Sequence, residues 1–279
     1  MTNMITGAAA SLVLLAMAGP AAAEGPALRV SSSVDYASGD YGLEDETTTW
    51  AVPVSLAIEY ERITVFAEVA WLQTEGPAGA GLTSRPGLSV YAPRLAAKLA
   101  GSTSPEDLSA NGLGDAMLGA TFTLTPMDAP AWIGLTTSVT LPTGDEAQGL
   151  GTGTSDVTVG LDGETWIGNL AVTGGAGYVL LGDTDEIETS TGDLYAVEDG
   201  FGYAVLGSRY DFASGHTFGV SVSWSEAIYA EFDDQMNVTA SGSLPVSQNT
   251  SISIYAFAGL AGDGADAGGG LSLTYRTEP

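Results

Sequence analysis

The sequence predicts an all-β fold: a transmembrane up-and-down antiparallel β-barrel of about twelve strands, behind an export signal. Three observations predict it. Segments of about 9–13 residues alternate apolar side chains with small or polar ones, the period of a strand whose two faces meet different surroundings. The connections between segments run long, short, long, short to the end of the chain. The acids gather in the long connections.

The alternation is plainest where Ile63, Val65, Ala67, Val69 and Trp71 interleave with Thr64, Phe66, Glu68 and Ala70. Val52, Val54, Leu56 and Ile58 repeat it, as do Phe218, Val220, Val222 and Trp224. Strands are expected at 27–36, 48–59, 63–73, 113–124, 131–141, 155–165, 170–182, 200–210, 217–225, 235–244, 250–260 and 268–276. A tilted strand needs roughly 9–11 residues to cross a bilayer, and these lengths suit it. The tight connections are Tyr60-Glu61-Arg62, Thr125 to Pro130, Trp166 to Asn169, Asp211 to His216 and Pro245 to Asn249. The longer ones are 37–47, 74–112, 142–154, 183–199, 226–234 and 261–267. A barrel with both termini in the periplasm predicts this asymmetry of rims.

Residues 1–23 have the form of a secretory signal. Ile5 to Ala18 are apolar or small, Gly19-Pro20 breaks the run, and Ala21-Ala22-Ala23 offers a cleavage site before Glu24. The first residues carry no Lys or Arg, which departs from the usual form. An uncleaved anchor would need about 20 apolar residues, more than this run supplies. The barrel domain is then 24–279, and the setting is the outer membrane of a Gram-negative cell. After residue 23 no apolar run approaches spanning-helix length.

Charge narrows the function. Against 34 Asp and Glu stand 7 Lys and Arg and one His, a polyanion that repels nucleic acid. Hydrophobic residues make up 44% of the chain, so it has the material to fold despite that charge. With no Cys, the backbone ladder and packing must hold it together. The six longer connections hold 22 of the 34 acids. Glu59, Glu68, Asp115, Asp156 and Asp162 fall on the polar side of their strands and are the candidate lumen lining, since an ionised group facing lipid costs about 2–4 kcal/mol near the midplane. Arg209 suits neither face cleanly and is expected to snorkel at a periplasmic turn. Trp50, Trp71, Trp132, Trp166 and Trp224 all lie near strand ends, where aromatic girdles form, although Trp132 has inward parity.

From Ser138 to Leu161 the chain reads SVTLPTGDEAQGLGTGTSDVTVGL, and Asn111 to Gly119 reads NGLGDAMLG. These two stretches resemble the outer-membrane proteins labelled "MetA-pathway of phenol degradation". The resemblance implies a barrel of twelve or so strands that passes small hydrophobic or aromatic compounds, and it carries over no site residues. Pro142 lacks an N–H and suits a strand leaving its ladder, while Gly149, Gly151 and Gly153 permit tight loop conformations. No helix or Lys follows, so this is not a phosphate-binding loop. The tail Arg-Thr-Glu-Pro after Tyr275 departs from the aromatic ending of many such barrels.

Little else points to chemistry. His216, the one histidine, falls at a short turn, away from any nucleophile and orienting acid. The acid clusters Glu44-Asp45-Glu46 and Asp183 to Glu188 lack calcium-loop spacing, and divalent ions bridging them to lipopolysaccharide are the only metal role they suggest. No enzyme activity and no cofactor are expected. The 39-residue connection 74–112 carries Arg85, Arg94 and Lys98 and is expected to fold partly into the lumen as a constriction. The expected function is passive passage of a small-molecule solute through a barrel embedded in outer-membrane lipid. The alternatives are a non-transporting barrel that serves as an anchor or surface-interaction protein with acidic loops, and a soluble secreted β-protein.

Overall fold

The computed structural model describes residues 25–41, 46–76, 109–126, 129–182 and 198–277, with 82–85, 88–91, 187–188 and 194–196 placed as short pieces. Its strands are β1 (Ala27–Gly39), β2 (Thr47–Tyr60), β3 (Ile63–Glu75), β4 (Leu82–Arg85), β5 (Leu88–Tyr91), β6 (Ser109–Leu113), β7 (Ala116–Thr123), β8 (Ala131–Leu141) and β9 (Asp156–Ile167). They continue with β10 (Leu170–Leu180), β11 (Ile187–Glu188), β12 (Leu194–Tyr195), β13 (Gly200–Asp211), β14 (Thr217–Ser225), β15 (Gln235–Pro245), β16 (Thr250–Ala261) and β17 (Ala267–Arg276).

Each strand of the main sheet pairs antiparallel with its neighbour in sequence, and β1 pairs with both β2 and β17, so the sheet closes on itself. β6 and β7 act as one stave: β6 pairs with Trp71–Glu75 of β3 and β7 with Ile63–Glu68. The result is a closed antiparallel barrel of twelve staves. The hairpins β4–β5 and β11–β12 lie outside that sheet, within the two longest connections. All twelve expected strands are present. The expected 74–112 connection is shorter than foreseen, because Ser109–Leu113 already belongs to the wall.

Alternation sorts the two faces. Val30, Val54, Leu56, Ile58, Val65, Leu118, Leu161, Val220, Ile254 and Leu271 are all exposed and all on one face. That face is the lipid-facing one, since a water-facing surface would not carry so continuous an apolar band. Aromatic residues mark both of its rims. At the short-turn rim stand Tyr60, Phe122, Phe218 and Tyr275, with Tyr210 against Phe212 at 4.9 Å. At the long-loop rim Trp50 meets Tyr36, again at 4.9 Å between ring centroids. Trp71 and Trp224 share this outward face, whereas Trp166 joins Trp132 inside: it sits two residues from the inward Glu164 and opposite the buried Ala171.

Two local devices set the geometry. Glu61 (φ 48°) and Gly168 (φ 64°) take left-handed conformations that let two-residue turns join strands of matching twist. Between β6 and β7 the alternation flips: Gly112 and Gly114 face inward, and so do Met117 and Gly119. One extra residue in the stave, at Gly114-Asp115, makes that flip. At the seam, Thr277 donates its N–H to Leu28 O (2.9 Å) and its Oγ1 accepts from Leu28 N (2.8 Å). Arg276 and Thr277 therefore extend the seam beyond Tyr275.

Folded barrel should migrate differently from boiled barrel on a denaturing gel. In urea titrations in lipid vesicles, Val222→Arg on the outer face should cost about 2–4 kcal/mol, while Ser221→Thr on the inner face should stay within about 0.5 kcal/mol.

Candidate functional site

The inward face of the barrel is the candidate site. Glu59, Glu68, Asp156 and Asp162 all lie on it. Each meets a specific environment. Glu59 holds two guanidiniums, Arg29 at 3.4 Å and Arg276 at 2.6 Å. Glu68 is half-buried on β3. Asp162 accepts from Thr136 Oγ1 at 3.2 Å, and Thr136 in turn meets Thr121 Oγ1 at 2.8 Å. Asp156 accepts Gly182 N at 3.0 Å and so ties the start of β9 to the end of β10.

Asp115 behaves differently. Both of its oxygens are engaged by backbone N–H groups of the connection after β8: Gly144 N at 2.8 Å and Thr152 N at 2.6 Å. Thr143 Oγ1 adds a third tie, accepting from Ala116 N at 2.8 Å. Between these anchors the chain makes one short 3-10 turn (Glu146–Gln148) closed by Gly149 in the left-handed region, φ 69°. The turn delivers Leu150, only 2% exposed, into a seat made by Ala51, Ala70, Leu72 and Ala110 on the inner wall. The Leu-Pro-Thr-Gly and Gly-Leu-Gly-Thr-Gly stretches are thus the two halves of a strap folded inward over β2, β3 and β6. Its glycines are needed for fit: a Cβ at Gly144 would stand 2.5 Å from Leu150 O.

The sequence reading missed the charges that organise the short-turn end. Arg209 does not snorkel to the lipid surface. It points inward, and its guanidinium donates Nη1 to Glu164 Oε2 (2.9 Å), Nη2 to Glu164 Oε1 (3.2 Å) and Nε to Asp211 Oδ1 (2.7 Å). With Arg209 and Glu164 both buried, each needs the other. Asp211 and Glu164 share the parity of Arg209 on adjoining walls, and that cross-strand match was the available signal. Arg29, Asp35 and Arg276 were likewise inward and overlooked. Asp35 is 1% exposed, packed where a Cβ at Gly270 would collide with its carboxylate.

Several inward aromatic rings lie where a neighbour's Cβ would be. Phe66 covers Gly119, Tyr203 covers Gly177, Trp132 covers Gly134 and Phe257 covers Gly268. Laying a ring over a glycine keeps it against the wall and off the axis. The two halves of the lumen nevertheless differ. From β3 to β10 the inward residues Phe66, Leu72, Met117, Thr136, Ser138 and Thr158 are buried. From β14 to β17 the inward residues nearer the short turns, Thr217, Ser221, Ser241, Ser243, Ser251, Ser253, Ser272 and Thr274, are half-buried hydroxyls, while Ser225, Gln235, Thr239 and Tyr255 further along are buried.

Arg85 belongs to β4, off the barrel wall, and its side chain lies outside the described residues, as do Arg94 and Lys98 entirely. His216 stands in an exposed turn with Nδ1 2.6 Å from Ser214 Oγ. Among the described residues, no group of three or more His, Cys, Asp or Glu side chains is arranged to hold a metal.

Over residues 53–277 the sequence matches the family described as "Putative MetA-pathway of phenol degradation". No protein of curated function matches it in sequence. Among solved structures it resembles the COG4313 outer membrane channel from Pseudomonas putida F1, at 14% identity and TM-score 0.67, covering 94% of this chain and 98% of that one. It also resembles the NanC porin, at 6% identity and TM-score 0.53, over 89% and 98% of the two chains. The transport unit of the Escherichia coli autotransporter AIDA-I is similar at 12% identity and TM-score 0.50, over 95% and 94%. At these identities the likeness is one of fold, and the fold is that of an outer-membrane barrel.

Replacing Asp115 by Ala removes two hydrogen bonds to a carboxylate, each worth about 1.5–3 kcal/mol. The strap should open more often, seen as faster amide exchange at Gly144 and Thr152 by about tenfold or more. Exchange in β14 should stay unchanged.

Proposed function

Given that the chain belongs to this family, we propose that it is a passive outer-membrane channel for small molecules, made with residues 1–23 as a cleaved export signal. The supporting observation is the inner wall between β14 and β17. A barrel that served only as an anchor gains by filling its centre with interlocking side chains. Here Ser221, Ser241, Ser243, Ser251, Ser253 and Ser272 instead present short hydroxyls that reach little into the lumen. Passage along such a wall needs no chemical step: width and lining decide what crosses. Glu59 and Asp162 are the lining acids best placed to meet a solute, since Asp115 is committed to the strap and Asp156 to its own loop.

For the solute, the family's label supports a hydrophobic or aromatic compound, and the inward rings Phe257, Trp132 and Trp166 offer apolar contact. The competing reading, a non-transporting barrel with acidic surface loops, draws on the buried half of the lumen and the inward strap. Outer-membrane lipid surrounds the apolar face on either reading. Divalent ions would bridge the loop acids Glu44-Asp45-Glu46 and Asp183 to Glu188 to lipopolysaccharide phosphates. No catalysis is assigned: the single histidine is at an exposed turn, away from the lumen.

Planar-bilayer recording of the purified barrel should show discrete conductance steps in KCl, and vesicles carrying it should swell in small solutes. Asp115→Ala should raise the conductance or its flicker. Silent membranes with correctly folded protein would favour the anchor.

A further inference from the structure

We propose that the short-turn end of the lumen holds a binding site for a small hydrophilic carboxylate, formed by Arg276 and Arg29 at the foot of a hydroxyl-lined strip. The inference rests on the channel reading for its biological use, and on side-chain geometry for the site itself.

The strip follows from register. Opposed residues on one face of neighbouring strands stand side by side. Thr217 lies opposite Ser243, Ser243 opposite Ser253, Ser253 opposite Ser272, and Ser272 opposite Ser33, giving one continuous row of hydroxyls across five strands. One inward step nearer the short turns a second row runs Ser251, Thr274, Ser31, Ser55, with Ser31 and Ser55 Oγ atoms 2.6 Å apart. The next inward step on β17 and β1 is Arg276 and Arg29, themselves opposite one another.

Charge at this point is unbalanced. Among the described residues, two guanidiniums share one carboxylate, Glu59, which leaves one positive charge in excess there. Arg276 remains accessible, with 36% of its side chain exposed, and among the described residues its buried Nε has no hydrogen-bond partner. A guanidinium presents donors in a fork that fits a carboxylate with two parallel bonds. The other wall at the same end carries the reverse imbalance: Arg209 faces both Glu164 and Asp211. These lie on β9 and β13, which flank β10, and β10 is six strands from β1 in either direction round the ring. The two clusters therefore face each other across the lumen and set up a field that draws an anionic group toward β17 and β1. The acidic outer loops do not cancel this, because water with physiological salt screens charge beyond about 8 Å. The hydroxyl rows would hydrogen-bond the polar remainder of such an acid, so this corner suits short or hydroxylated acids, a class separate from the apolar solutes that the inward rings would meet.

The test uses 19F line broadening of 3,3,3-trifluoropropionate, beside its neutral amide, with the full barrel in non-ionic micelles. The acid should broaden on the wild type and the amide should not. Arg276→Gln should weaken the acid's affinity by about fivefold or more, and Glu59→Gln, which frees both guanidiniums, should strengthen it by about threefold. Arg62→Gln, at a turn where Arg62 donates to Thr125 O, serves as the control and should change nothing. Heat-modifiable gel mobility checks that each variant is folded. Equal broadening by acid and amide, or both lumen variants within about twofold of wild type, would overturn the site. Because binding is read without current, a silent planar bilayer counts against the channel alone, whereas a conducting barrel that ignores the acid counts against the site alone.

Discussion

In hydrocarbon, an unpaired backbone N–H or C=O costs several kcal/mol, because no water replaces the missing partner. That penalty makes the seam between β1 and β17 the interaction on which the rest depends. Ten residue pairs close it, from Arg29 opposite Arg276 to Ser38 opposite Ala267. Opening it would expose two strand edges at once. The seam also explains the chain's last residues: Arg276 turns inward to Glu59, and Thr277 locks onto Leu28. A strictly apolar ending would have served the lipid face but left the foot of the lumen without its second guanidinium.

Closure fixes a circumference, and side chains must then share what lies inside. Glycine settles that competition on the crowded half. Gly119, Gly134 and Gly177 give their Cβ space to Phe66, Trp132 and Tyr203, so bulky rings fit without meeting across the axis. Gly270 does the same for the Asp35 carboxylate. The high glycine content, 38 residues, therefore reflects the packing of a closed wall as well as its turns. On the other half serine achieves openness by being short, and it keeps polar atoms available to whatever fills the lumen. The lumen is uneven in consequence: the Leu150 strap and most of the rings stand on one side, and the hydroxyl rows, with Tyr255 and Phe257 beyond them, on the other.

Charge is treated in two ways. Described loop acids such as Glu46, Glu226, Glu231 and Asp233 stand exposed to water, where repulsion is screened. The arginines on the barrel strands, Arg29, Arg209 and Arg276, go to the inner wall, each beside at least one carboxylate. An arginine facing lipid would be costly, and an unpaired one in a narrow lumen nearly as much. Among the described residues of the inner wall, Arg29 and Arg276 share a single carboxylate, which is why that corner is chemically distinctive.

The fold class was determined by the sequence alone, and the reason is periodicity. Val65, Val69 and Trp71 must face lipid if Glu68 faces water, and a period of two admits no other arrangement. Turn positions were legible for the same reason, since Gly168 and Gly215 fall where the alternation stops. Parity within a single strand is what singles out Glu59, Glu68, Asp156 and Asp162 as acids of the polar face. What the sequence left undecided was who meets whom. The strand 200–210 shows no clear alternation because its apolar Phe201 and Val205 are inside, so Arg209 could be placed only once Glu164, forty-five residues away, was seen two strands over on β9. The bulge at Gly114-Asp115 breaks parity and hid the role of Asp115 as the anchor of a strap starting some thirty residues later. Parity is a local property that a chain states about itself. Partnership across a closed ring depends on register and circumference, and only the tertiary structure supplies those.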